Sequence, residues 1–296
     1  MQISVLADVK PLLGEGPLWD AEGERLFFLD ALGRRVFRCT AEGGEMRAWL
    51  LPSRVGSRVL WTADTVMVAL ADGFHRLDLH AGELDLLARA EADLPDNALN
   101  DGKVDPRGCF LCGSMDLGEE KPTGSLWRLD PDLSLTRLED GIICSNGPCC
   151  SPDGRTFYFA DSFRGRFWAY DDDPDTGAVA NRRDFVVIDP GPSGAPGGAT
   201  VDAEGFPWSA AMFDGRIRRF SPKGEVERTI EMPVCKITSH CFGGPTARPP
   251  LRHLEGRAAA AAIPRRRSSA REPVCHRRPW HDWPSRATLR RLGEMP

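Results

Sequence analysis

Short runs of apolar residues, broken by polar ones, recur along most of the chain: RLFFLD, VMVAL, FHRLDL, CFLC and TFYFAD. Alternation with a period of two predicts β-strands. The runs are bounded by AEG, DG and PDG sequences, whose Gly, Asp and Pro suit tight turns between neighbouring strands. Nothing in the body carries a long apolar stripe at helical spacing. The pattern predicts an all-β protein.

The strands come in repeats. Each copy opens on a glycine and a short apolar strand, turns at an Asp-x-x-Gly type sequence, and continues through an aromatic strand to a third strand. The leading glycines are Gly16, Gly56, Gly102, Gly147 and Gly198, in steps of 40, 46, 45 and 51 residues. Four short strands per roughly 40–50 residues predicts the blades of a β-propeller. The next step falls near residue 244, where CFGGP at 241–245 starts a sixth copy, and after Pro245 the pattern stops. The expectation is a six-bladed propeller over residues 1–245, its sixth blade incomplete or replaced by an unrelated tail at 246–296.

Charge sharpens that boundary. The 296-residue chain has a net charge of −5, but residues 246–296 hold 12 Arg, no Lys and 4 acidic residues, so the tail carries +8 and the body −13. An acidic body argues against nucleic acid as a partner, because phosphate attraction supplies most of that affinity. The tail reads as a basic arm, as a disordered end, or as a shifted reading frame. The last is preferred, since Arg/Pro/Ala-rich text is what GC-rich DNA yields out of frame. The longest apolar run, at 258–263, is far below the roughly 18 residues of a membrane span. The start shows no basic segment leading into an apolar one, so neither a membrane nor a secretory reading is expected. Nine cysteines, an odd number, fit reduced thiols in a cytoplasm better than a disulfide framework.

Six motifs stand in order at blade spacing: GEGPLWD at 14–20, NDGKVDPRG at 100–108, SNG at 145–147, SPDGRTFYFADS at 151–162, GGATVDAEG at 197–205 and CFGGP at 241–245. Together they resemble the gluconolactonase and regucalcin (senescence-marker protein) family over residues 10–245. The resemblance implies a six-bladed propeller with one divalent metal ion (Ca²⁺, Mn²⁺, Mg²⁺ or Zn²⁺) at the centre of one face, and a small sugar lactone as substrate. It implies Glu15 and Asn146 as metal ligands and Asn100, with Asp101, as substrate contacts. The family's third ligand, an Asp that also serves as proposed general base, falls on Gly197. An Arg that commonly stands two residues before the substrate Asn falls on Ala98.

Hydrolysing a lactone needs an activated water and a positive centre for the tetrahedral oxyanion. A divalent ion supplies the second, and oxygen ligands suit hard ions. With Gly197 in place of Asp, one carboxylate and the base are missing, so the expected activity is a weakened metal-dependent lactonase. The alternative is a non-catalytic metal- or sugar-binding propeller. Taken alone, Asn100 and Asn146 are ordinary turn residues and Glu15 an ordinary surface one. Cys109 and Cys112 are spaced for a metal, but they lie in a strand, where positions three apart face opposite sides. The sequence leaves the oligomeric state open.

Overall fold

The structure, a computed structural model, describes residue 3 and residues 5–188 and 194–243. Blade 1 holds β1 (Gly14–Asp20), β2 (Arg25–Asp30), β3 (Arg35–Thr40) and β4 (Arg47–Leu50). Blade 2 holds β5 (Val55–Leu60), β6 (Thr65–Leu70), β7 (Gly73–Asp78) and β8 (Leu84–Arg89). Blade 3 holds β9 (Asn97–Val104), β10 (Phe110–Asp116), β11 (Gly124–Leu129) and β12 (Leu135–Ile142). Blade 4 holds β13 (Ser145–Cys150), β14 (Thr156–Asp161), β15 (Arg166–Asp172) and β16 (Val179–Val187). Blade 5 holds β17 (Ala195–Val201), β18 (Pro207–Met212), β19 (Arg216–Phe220) and β20 (Val226–Glu231). Each is an antiparallel meander in chain order.

The first strand of each blade is innermost. β5 packs on β9, β9 on β13 and β13 on β17, while last strands such as β16 and β20 are mostly exposed. The repeat glycines mark where inner strands touch. A Cβ at Gly56 would lie 2.3 Å from Leu99 O in blade 3, and one at Gly147 would lie 2.8 Å from Ala199 Cβ in blade 5. Only glycine allows that approach.

Strict alternation gives way in the second strands, which are buried on both faces because each blade is covered by two neighbours. In β14, Phe157 and Phe159 join Leu111 and Leu126 of blade 3, whereas Tyr158 and Ala160 join Ala199 of blade 5. Each fully buried Phe contributes about 1.5–3 kcal/mol. The same two-sided packing joins blades 1 and 2 through Phe27, Leu29, Val66 and Val68, and blades 2 and 3 through Phe74, Leu99 and Phe110.

The described residues form five four-stranded blades, which corrects the count of six. What the repeat spacing counted as the start of another blade is here an irregular segment, residues 236–243, between blades 5 and 1. Gly198 donates its N–H to Thr238 O at 2.8 Å, and Thr238 Oγ1 donates to Gly14 O at 2.5 Å. Ile237 packs on Trp208 of blade 5, and Cys241 on the Leu26–Phe28 face of blade 1. One segment thus takes the place of an inner strand without a sheet behind it among the described residues. The expected boundary at 245 and the tail 246–296 lie outside those residues.

Seven described cysteines are free thiols, most of them buried. Cys109 Sγ meets Asp130 Oδ1 at 3.2 Å and Cys112 Sγ meets Ser57 Oγ at 3.4 Å, so the two thiols have separate surroundings. No described helix is long and apolar enough to cross a membrane.

Candidate active site

The inner strands are irregular at the residues of interest. In β1 the pairing jumps between Glu15, opposite Leu29, and Leu18, opposite Phe27. In β13 it jumps between Asn146, opposite Ala160, and Cys149, opposite Tyr158. The same bulge recurs in β17, between Pro196 and Ala199. A bulge re-aims the side chain at its edge, and Glu15 and Asn146 occupy the same position in blades 1 and 4. The matching position in β17 is Pro196, with Gly197 next to it. Neither carries a side-chain oxygen.

Asn146 is buried, and its Nδ2 donates to Ser162 Oγ at 2.8 Å; that hydroxyl donates on to Pro196 O at 2.6 Å. This relay commits the amide nitrogen and leaves Oδ1 as the end that can bind an ion. Glu15 is half-buried as a residue, but its carboxyl end is enclosed by the ring, and its Oε2 accepts the N–H of Gly16 at 3.3 Å. Asn100 is held at both ends: Oδ1 accepts from Arg54 Nη2 at 2.9 Å and Nδ2 donates to Ser145 O at 2.7 Å. Asp101 is 5% exposed. Its Oδ1 accepts the Gly102 N–H and its Oδ2 the Gly147 N–H, both at 2.9 Å. That bond pattern makes Asp101 a tie between blades 3 and 4. Ala98 is fully buried.

Sequence reasoning missed three charged groups here. Arg54, just before β5, reaches Asn100 and also Met115 Sδ at 3.3 Å. Lys236 acts on Glu15 through its charge. Deeper in the ring, Lys103 Nζ donates to Ala199 O across from blade 3 to blade 5, beside His240, whose two ring nitrogens are buried without a hydrogen-bond partner. None of these lies in a motif that marks it; each is brought in by a neighbouring strand.

Burial, reinforced by Asp101, pushes the Glu15 carboxyl up to about 8, against the Gly16 N–H, Arg54 and Lys236. Burial, helped by Lys103, pulls the His240 imidazole down to about 3. The two act oppositely on stability. Between pH 3 and 6.5 the unfolded chain binds the His240 proton that the folded chain refuses, so stability rises with pH. Between pH 4.5 and 8 the folded chain keeps the Glu15 proton that the unfolded chain has released, so stability falls with pH. In chelator, denaturation midpoints should therefore level off between pH 4.5 and 6.5 and drop from 6.5 to 8. A midpoint still climbing above pH 6.5 would show that Glu15 is ionised in the folded protein.

The donor set decides how well a metal fits. Among the described residues no three His, Cys, Asp or Glu side chains group to hold an ion. Glu15 and Asn146 offer hard oxygen donors of the kind Ca²⁺, Mg²⁺ or Mn²⁺ take, and a buried carboxyl pushed up to about 8 is one that a cation would satisfy. By donor type alone, Glu15 and Asn146 suit a hard divalent ion rather than a soft one.

This arrangement has relatives. Residues 13–249 match the family described as the SMP-30/Gluconolactonase/LRE-like region. The chain belongs to that family. Regucalcin of Xenopus laevis is 35% identical over 239 residues, covering 79% of this chain and 80% of its own. An L-arabinolactonase of Azospirillum brasilense is 34% identical over 247 residues, covering 82% and 81%. A crystal structure described as a calcium-binding protein, regucalcin, from Agrobacterium tumefaciens superposes with a TM-score of 0.77 at 31% identity, covering 81% of each chain.

Proposed function

We propose that this family member is a metal-dependent hydrolase of sugar lactones, slowed by the loss of the family's base at Gly197. The observation that carries the reading is the placement of Glu15 and Asn146 at equivalent bulge positions of blades 1 and 4. The kinship with an L-arabinolactonase supports the substrate class, and the calcium-binding description of the Agrobacterium protein supports the ion.

A divalent ion bound at Glu15 and Asn146 would supply positive charge for the oxyanion and lower the pKa of a bound water. Ser162 holds the Asn146 amide in place. Asn100, fixed by Arg54 and Ser145, stands beside the site as a contact for sugar hydroxyls. Asp101 serves substrate binding indirectly, by holding Asn100's strand against Gly147. No side chain at 196 or 197 can take the water's proton, and a missing base costs about 10²–10⁴-fold in rate.

Acid release from an arabinono- or gluconolactone, measured with Ca²⁺, Mn²⁺ or Zn²⁺ and with chelator, tests this. Turnover about 10²–10⁴-fold below that of a family member with the Asp is expected, and Asn146→Ala should reduce it further. Turnover unchanged by chelator would remove the metal from the reading. The absent base also favours a second reading, a non-catalytic metal- or sugar-binding propeller. Metal binding with no hydrolysis of any lactone would select it. The seven free thiols among the described residues support a cytoplasmic setting.

A further inference from the structure

We infer that a small monovalent anion, chloride in solution, binds inside the ring between Lys103 of blade 3 and His240 of the segment joining blades 5 and 1. This goes beyond lactone hydrolysis and requires no turnover.

Geometry brings the two groups together. Lys103 belongs to β9, yet its Nζ donates to Ala199 O in β17. β13 packs between those two strands, so the side chain crosses the interior rather than following the wall. His240 arrives from the other side. Gly198 donates its N–H to Thr238 O at 2.8 Å, and a Cβ at Gly198 would lie 2.3 Å from Ser239 Oγ. Ala199 and His240 are the next residues along these two touching segments, and the Lys103 charge acts on His240.

The His240 residue is 4% exposed, and neither Nδ1 nor Nε2 has a hydrogen-bond partner among the described residues. Native proteins seldom bury polar atoms unpaired, and two such atoms in one ring point to a bound ion or water. Burial keeps the folded imidazole neutral, so one nitrogen carries an N–H to donate. Lys103 spends one ammonium donor on Ala199 O and has others to offer.

Charge chooses between an ion and water, and between signs. Arg58 is 3% exposed. Its Nη2 donates to Phe27 O at 2.8 Å, and its Nε has no partner among the described residues. Arg58 and Lys103 both act on Asp101, and both act on Cys241, next to His240. Asp101 is a single carboxylate whose oxygens already accept the Gly102 and Gly147 N–H groups. On this stretch of the axis two cations thus meet one carboxylate. A cation would be repelled there. Water would satisfy the imidazole and leave the surplus charge, whereas a monovalent anion answers both. Size favours a monatomic one. A Cβ at Gly147 would lie 2.8 Å from Ala199 Cβ, so the inner strands approach too closely for a bulky oxyanion. Bound there, the anion ties blades 3 and 5 to the segment that closes the ring.

The test is thermal unfolding of the full chain in sodium chloride against sodium methanesulfonate, whose anion is too bulky for the site, at matched ionic strength. Wild type, His240→Phe and Lys103→Met are compared. Chloride should raise the wild-type midpoint by about 3–6 °C for each tenfold step above its dissociation constant. Both variants should lose that response: His240→Phe keeps an aromatic ring without the N–H, and Lys103→Met keeps an unbranched chain without the charge. No chloride-specific rise in wild type, or an equal rise in either variant, would overturn the inference and leave water or an adventitious ion only. Wild-type crystals grown in sodium bromide give a readout that needs no variant. An anomalous peak within hydrogen-bonding distance of Lys103 Nζ and His240 supports the site, and a map without that peak overturns it.

Discussion

Replacing Glu15 by Gln should make the metal-free protein more stable at pH 8 while removing its response to metal. The native carboxyl is pushed up to about 8 by burial and by Asp101, so up to that pH folding must hold a proton that the unfolded chain has released, and beyond it a costly buried charge. Glutamine keeps the shape and an oxygen for the Gly16 N–H, and carries no charge. Relief of an imperfectly satisfied buried group is worth about 1–3 kcal/mol. Near pH 5 the native side chain is already protonated when folded, and the two proteins should differ little. Metal-induced stabilisation, about 2.7 kcal/mol at 100 times the dissociation constant for a binder of the folded state, should vanish in the variant. Thermal scans at the two pH values, with and without millimolar Ca²⁺ or Mn²⁺, give both readings. A variant less stable than wild type at pH 8 would mean that the carboxylate is satisfied within the protein.

Restoring the family's carboxylate by Gly197→Asp should have two opposed effects. A Cβ at this position would lie 2.7 Å from Thr238 O, 3.2 Å from Met212 Cγ and 3.3 Å from Ala210 O. The nearest atom is backbone, and it belongs to the carbonyl that accepts the Gly198 N–H. The substitution therefore forces residues 237–239 outward, and overpacking of this kind costs about 1–3 kcal/mol. The metal-free midpoint should fall accordingly. The added ligand should tighten metal binding by at least the 10–100-fold typical of supporting groups. A lower midpoint with no gain in metal affinity would show that position 197 does not face the ion in this chain.

The blades were legible because their signal is local. The SPDG turn and the TFYFAD run that follows become the β13–β14 hairpin, with Cys150 opposite Phe157. The blade count was less so, because it rests on extrapolating a spacing to a place where the chain supplies only residues 236–243. The polar residues at the axis were half legible. Glu15 and Asn146 stand out because each lies in a bulge motif with glycine after it. Asp101 has the same kind of motif, yet both its oxygens are taken by backbone N–H groups, and a motif does not show which partner wins. Arg54, Lys236 and His240 could not be read, since their relevance comes from strands that meet only in the closed ring. Arg54 and Asn100, for example, are 46 residues apart.

The Thr238 bond to Gly14 spans 224 residues, and this sets the order of events during synthesis. Blade 1 emerges first, but the cover for its Leu26, Phe28 and Cys39 flank includes Cys241. At about 5–20 residues per second, translation takes on the order of 10–45 s to cover that distance. Throughout this interval the nascent chain carries an apolar flank waiting for its last neighbour. The ring is therefore sealed late, and the ribosome-bound intermediate is where a chaperone that holds apolar surface would find this protein.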